Sequence, residues 1–177
     1  MRRRGRLAKV VDTNVPVVAN HRDGGSYACA SKCARALLEI KNHGVIAIDD
    51  GDHILSEYRA YCSVAGQPGP GDSFIRWIHD NRGRADLVHA ITITPSVAGK
   101  HQFVEFPEHK DLDAFDPADE KFVAVANAHP EKPPVLQASD SKWHAWSAAL
   151  HELRITVQFL CPEETKAVFA RKLKQPN

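Results

Sequence analysis

Three short, mostly apolar runs, each closed by acidic residues, constrain this chain more than any other feature. Val45-Ile46-Ala47-Ile48 has no polar residue and ends on Asp49-Asp50-Gly51-Asp52. Leu7 to Val11 ends on Asp12, and Val135-Leu136-Gln137-Ala138 ends on Ser139-Asp140. An unbroken apolar run of that length reads as a strand covered on both faces, the situation of a parallel sheet. Two further β-rich segments, Val88 to Thr94 and Ile155 to Leu160, predict five strands near 7–12, 45–48, 88–94, 135–139 and 155–160. A hairpin is expected from Val88–Thr94 to Gln102–Phe106, with Pro95 to Lys100 turning between them.

Helical periodicity fills the intervals. Ala30, Cys33, Ala34, Leu37 and Leu38 recur at helical spacing over Tyr27 to Lys41, with Ser26 as N-cap and Asn42-His43-Gly44 as the stop. Val17 to Ala19 predicts a helical turn, 53–64 a helix carrying Glu57, and Ser73 to Asn81 another. The acidic stretch Asp113 to Glu120, with Pro117 near the first turn, opens a helix that continues through Lys121 to Ala128. Ser141 to Leu153 and 162–174 complete the set, and Gly66-Gln-Pro-Gly-Pro-Gly71 reads as a surface loop. Strands alternating with helices imply a three-layer α/β/α fold around a mainly parallel five-stranded sheet. The expectation is one domain over residues 1–177, elaborated at about 65–112.

Composition narrows the function classes. Hydrophobic residues at 43% and charged residues at 25% are ordinary globular values. No apolar run approaches the ~18 residues of a membrane span. The basic start Met1-Arg-Arg-Arg-Gly-Arg6 is not followed by the apolar stretch of a secretory signal. Lys and Arg number 23 against 22 Asp and Glu, so any nucleic-acid affinity has to be local. Cys29, Cys33, Cys62 and Cys161 have no zinc-ribbon spacing and are read as reduced thiols of a cytoplasmic protein, Cys29 and Cys33 as small core residues of one helix.

In a parallel α/β sheet, ligands bind beyond the carboxyl ends of the strands. Asp12 and Asp140 should emerge there, Asp119 at a helix start on the same side, and Glu57 over the same edge from the helix after the second strand. Each acid alone is better explained as a cap or turn residue, and it is their convergence that points to a site. Four together would repel unless a divalent cation neutralised them. Oxygen ligands without His or Cys suit Mg2+ or Mn2+, which would serve phosphodiester hydrolysis by a metal-activated water. Glu39 competes with Glu57 for the second position, and Asp49, Asp50 and Asp52 crowd the same edge.

At these residues the chain resembles the PIN-domain nucleases. Val-Val-Asp12-Thr13-Asn14 is similar to the opening strand motif of that family, and Ile54-Leu55-Ser56-Glu57-Tyr58 to its second acidic position. Asp116-Pro-Ala-Asp119 with the small-residue helix to Ala126 resembles the third, and Leu136-Gln-Ala-Ser139-Asp140-Ser-Lys-Trp143 the strand-end segment of the fourth. The resemblance implies metal-binding, catalytic acids at Asp12, Glu57, Asp119 and Asp140, with Asn14 and Ser139 in support. It departs from the family at Ala138, where a Thr often stands, and at Lys142, where a further acid sometimes follows. It implies a Mg2+- or Mn2+-dependent endoribonuclease acting on single-stranded or structured RNA, as a toxin or phage-defence effector with an antitoxin or ATPase partner. A second copy of the chain is a further candidate partner. The alternatives are a catalytically silent PIN-fold scaffold and a structure-specific DNA nuclease.

Candidate phosphate-binding cations are Arg82, Arg84, Lys121 and Lys142, with Arg82-Gly83-Arg84 beside Trp77, and the terminal Arg2, Arg3, Arg4 and Arg6. Trp143 and Trp146 read as core or partner surface. The ten histidines are scattered without zinc-type spacing. Ser139-Asp140 near His144 lacks the Gly-x-Ser-x-Gly elbow of a serine hydrolase, and no phosphate-binding P-loop occurs.

Overall fold

Strands β1 (Ala8–Val11), β2 (Val45–Asp49), β3 (Val88–Ile91), β4 (Val135–Gln137) and β5 (Val157–Phe159) form one sheet in the order β3-β2-β1-β4-β5 in the computed structural model. Every pairing is parallel. The structure describes residues 7–23 and 25–175; Arg2, Arg3, Arg4, Arg6 and Gly24 lie outside the described residues. The fold is the expected three-layer α/β type. β2 is buried along its whole length, as its apolar run required.

The helices are α1 (Asn14–Ala19), α2 (Tyr27–His43), α3 (His53–Tyr61), α4 (Pro70–Asn81), α5 (Glu120–Ala128), α6 (Ser147–Glu152) and α7 (Pro162–Lys174). α1, α2 and α4 pack on one another, while α5 lies across β1, β2 and β4. The Ser26 hydroxyl accepts from the Cys29 amide and caps α2, and Gly44 ends it, both as expected. α7 is attached lightly, with Thr165 its one buried residue. The core runs from Val10 and Val11 through Ile46, Leu55 and Phe74 to Phe122, Trp143 and Leu150.

Four local expectations need correction. Gln102–Phe106 forms no strand beside β3; one isolated antiparallel bridge, Pro95 to Phe103, is all that remains of the hairpin. Side chains take up the backbone groups a ladder would have used. Glu105 accepts from the Thr94 amide at 2.7 Å, and Glu120 from the Gln102 amide at 2.5 Å, while Phe103 and Phe106 turn into the core.

The Gly66–Gly71 stretch is not wholly loop, because Pro70 and Gly71 are the first turn of α4. Pro suits that position, having no amide to lose. Gly71 is needed there: a Cβ would sit 2.1 Å from the Pro16 carbonyl oxygen, so only glycine lets α4 approach α1 this closely.

Ser141–Leu153 is not one helix but a 3-10 turn (Ser141–Ala145) followed by α6. Burial of Trp143 against Phe115, with ring centres 5.2 Å apart, accompanies the tighter winding. Finally, Cys29 and Cys161 are joined by a disulfide, with Cα atoms 5.5 Å apart, so the four cysteines are not all free thiols. Cys33 and Cys62 are free and buried. Among the described residues no helix is long and apolar enough to cross a membrane.

Candidate metal centre

The strand order reverses direction between β1 and β4, since β2 and β3 lie on one side of β1 and β4 and β5 on the other. A crevice opens beyond the carboxyl ends of the strands at such a switch point. Asp12 ends β1 and Asp140 follows β4, and the Asp12 amide donates to the Leu136 carbonyl of β4 at 3.0 Å.

The bracing around Asp12 is dense. Its Oδ1 accepts from the Asn14 amide at 2.9 Å. The Asn14 side chain donates to Gln137 Oε1 and accepts from the Ala138 amide at 2.9 Å, tying α1 to the end of β4. The Tyr58 hydroxyl of α3 donates to the Val11 carbonyl at 2.5 Å. Asn14 thus meets Asp12 through its backbone amide, while its side chain reaches across to β4. Gln137, fully buried, carries no signal in the sequence beyond its place in a β-strand.

Asp12 is only 4% exposed, and its Oδ2 is buried with no hydrogen-bond partner. Leaving a carboxylate oxygen unpaired in the interior is costly, and such atoms call for an explanation. Burial pushes the Asp12 carboxyl well up from its ordinary range, with the charges of Asp119, Glu57 and Asp140 adding to the rise and the Asn14 amide opposing it.

Asp119 stands at the start of α5 but makes no capping hydrogen bond with its side chain, so the cap reading does not account for it. Burial raises its carboxyl also, against the pull of Lys142. Asp140 does cap its 3-10 turn, accepting from the Lys142 amide at 3.1 Å. Glu57 ion-pairs with Lys121, which also donates to the Ala118 carbonyl. Glu39 is not a competitor for this edge: it lies with Leu7, Lys9 and Gly44 around a cavity at the amino ends of β1 and β2. Asp49 is spent on capping α3, accepting from the amides of His53 at 2.7 Å and Ile54 at 2.8 Å.

Lys142 organises the other half of the site. Its ammonium pairs with Asp116, with Asp119 at 2.9 Å and with Asp140 at 3.2 Å. Burial by itself would lower the Lys142 pKa, but hydrogen bonds to Asp116 and Asp119 and the nearby negative charges more than reverse it. The Lys142 contact in turn holds the Asp116 carboxyl below its usual range. Asp116 thus joins the site, signalled in the sequence only by its place in Asp116-Pro-Ala-Asp119.

The acids are gathered at one edge but not closed into a tight cage. Among the described residues, the only group of three potential metal ligands with all ligand atoms within 4.8 Å of one another consists of cysteines, not carboxylates. Like charges without a cation between them stay apart, and Lys142 holds three of these acids around its own ammonium.

The two candidate arginines are held by aspartates of their own. Arg82 pairs with Asp52 at 2.7 Å and Arg84 with Asp86 at 3.0 Å. The Ser139 side chain is exposed, and His144 bonds Thr165 at 2.9 Å rather than Ser139, so no hydrolase triad is assembled.

The raised carboxyls set a pH dependence. A group whose folded pKa is raised keeps its proton longer in the folded state, so stability falls as pH climbs from the unfolded value through the folded one. Without added metal, Asp12 and Asp119 should therefore make the fold less stable as pH rises from about 4 toward neutrality. Asp116 and the exposed Asp80, whose pKa values are lowered, act in the opposite sense below that window. Melting curves from pH 4 to 7.5 in chelator should show a smaller loss of Tm with pH for Asp12→Asn than for wild type. Parallel curves would disprove the assignment of the raised group.

No family model, curated protein or solved structure matches the chain.

Proposed function

We propose that the chain is a PIN-like, divalent-metal-dependent nuclease, with RNA as the favoured substrate. The observation that carries the reading is the unpaired, buried Asp12 Oδ2 at the switch point of the sheet, facing the negative field of Asp119, Asp140 and Glu57. Hard oxygen donors of this kind fit Mg2+ or Mn2+, with Asp12, Asp119, Asp140 and Glu57 as the residues that would hold it. When bound, such an ion supplies Lewis-acid stabilisation of phosphodiester charge and activates the attacking water.

The chain's own residues have distinct parts in this reading. Asn14 and Gln137 fix the orientation of Asp12 between β1 and β4. Lys142 neutralises Asp116, Asp119 and Asp140, and its ammonium is the positive charge of this edge that would meet a substrate phosphate. Lys121, already paired with Glu57, contributes a second positive charge beside the acids. Arg82 and Arg84, tied to their own aspartates, are not assigned to substrate.

A second reading has its own support. Lys142 and Lys121 as permanent counter-charges would leave a catalytically silent PIN-like scaffold, and the open spacing of the acids favours it. The deciding experiment incubates the purified chain with single-stranded RNA, structured RNA, single-stranded DNA and flap DNA, in Mn2+, in Mg2+ and in chelator. The nuclease reading expects metal-dependent cleavage, greatest on RNA, and a rise in Tm with Mn2+. Neither cleavage nor a Tm shift would leave the scaffold.

A further inference from the structure

We propose that Cys29, Cys33 and Cys161 form a thiolate site for a soft divalent cation, Zn2+ by its chemistry, available in the reduced chain and closed when Cys29 and Cys161 are joined. Cys29 and Cys33 stand one turn apart on the buried side of α2, and Cys161 immediately precedes α7. The three sulfurs all lie within 4.8 Å of one another. Tetrahedral zinc–thiolate bonds of ~2.3 Å place sulfurs about 3.8 Å apart, so the three need only small adjustments to share one ion. The disulfide accounts for two of these cysteines; a third sulfur within 4.8 Å of both is what a disulfide alone does not require.

The surroundings favour a cation. Asp23 and Glu164 both direct negative charge at Cys33, opposed by Lys32. Glu164, in the first turn of α7, accepts at 2.5 Å from the Ser26 hydroxyl that caps α2, which fixes its charge near Cys33.

Access comes through α7, which buries Thr165 alone and can lift by local opening. A dithiol reductant delivers two electrons and two protons to the Cys29–Cys161 bond, giving two thiols and becoming a disulfide itself. Cation binding then displaces the thiol protons to solvent. This site is independent of the acidic edge, being built of soft sulfur rather than hard oxygen.

The test uses the full chain, reduced with a dithiol, desalted without oxygen, and titrated with Co2+ alone. The expected result is one Co2+ per chain with thiolate-to-cobalt charge-transfer absorption, displaced by equimolar Zn2+. The oxidised chain should show none. Cys33→Ser, which keeps the Cys29–Cys161 pair, should lower Co2+ affinity about 100-fold or more; Cys62→Ser, outside the cluster, should leave it unchanged. If Cys33→Ser does not fold, Cys161→Ser must show the same loss. Reduced wild type without charge transfer, or a Cys33→Ser protein that binds as wild type does, overturns the proposal.

Discussion

Asp12→Asn is expected to lower turnover by ~10²-fold or more, the effect of disabling a metal-site interaction. The same change should raise the stability of the metal-free protein, because a buried charge with an unpaired oxygen and three acidic neighbours has been removed. The Mn2+-dependent rise in Tm should shrink with it. A capping Asp12 predicts the reverse, a loss of roughly 1 kcal/mol of stability with activity intact. Melts with and without Mn2+, run beside RNA cleavage on both proteins, separate the two. Equal cleavage by wild type and variant would remove Asp12 from the chemistry.

Asp72→Ala should be the most damaging substitution away from the acidic edge. Asp72 is fully buried and accepts from the Ser63 amide at 2.7 Å, the Gly69 amide at 2.9 Å, Asn20 Nδ2 at 3.0 Å and the Arg22 guanidinium at 3.1 Å. One carboxylate thus fastens the 62–70 loop and the start of α4 to the end of α1. Removing it leaves several sheltered donors without acceptors, for a loss of ~3 kcal/mol or more. Arg22 is partly exposed and recovers water, which limits its share. Urea unfolding measures the loss. A change under about 1 kcal/mol would mean that water replaces the carboxylate throughout.

The sheet was legible because parallel strands covered on both faces announce themselves as apolar runs, Val45–Ile48 most clearly. Asp12 and Asp140 were legible for a related reason, as a polar residue ending such a run must leave the sheet at its carboxyl edge. What escaped was decided by contacts between distant residues. Glu105 and Glu120 take the amides of Thr94 and Gln102, so the hairpin expected between 88–94 and 102–106 keeps only one bridge. Gly71, read as a breaker, is instead the residue that allows α4 to touch α1.

The contact of Lys142 with Asp116 spans 26 positions, and the Cys29–Cys161 bond joins residues 132 apart. Neither spacing has a local signature. Lys142 looked like a departure from a motif; its ammonium proves to sit among three of the acids.

The order β3-β2-β1-β4-β5 also fixes a sequence of events in time. A chain made from its amino end can zip β1, β2 and β3 together early, since domains begin to fold during synthesis. The other edge of β1 then waits for β4, and Asn14 for Gln137, its brace 123 positions downstream. Until Val135 has been made, Asp12 stands at the end of an uncovered strand without Asp140 or Lys142 beside it. The acidic edge is therefore among the last features to mature, and a chain ended before Val135 carries Asp12, Glu57 and Asp119 without Asp140 and Lys142.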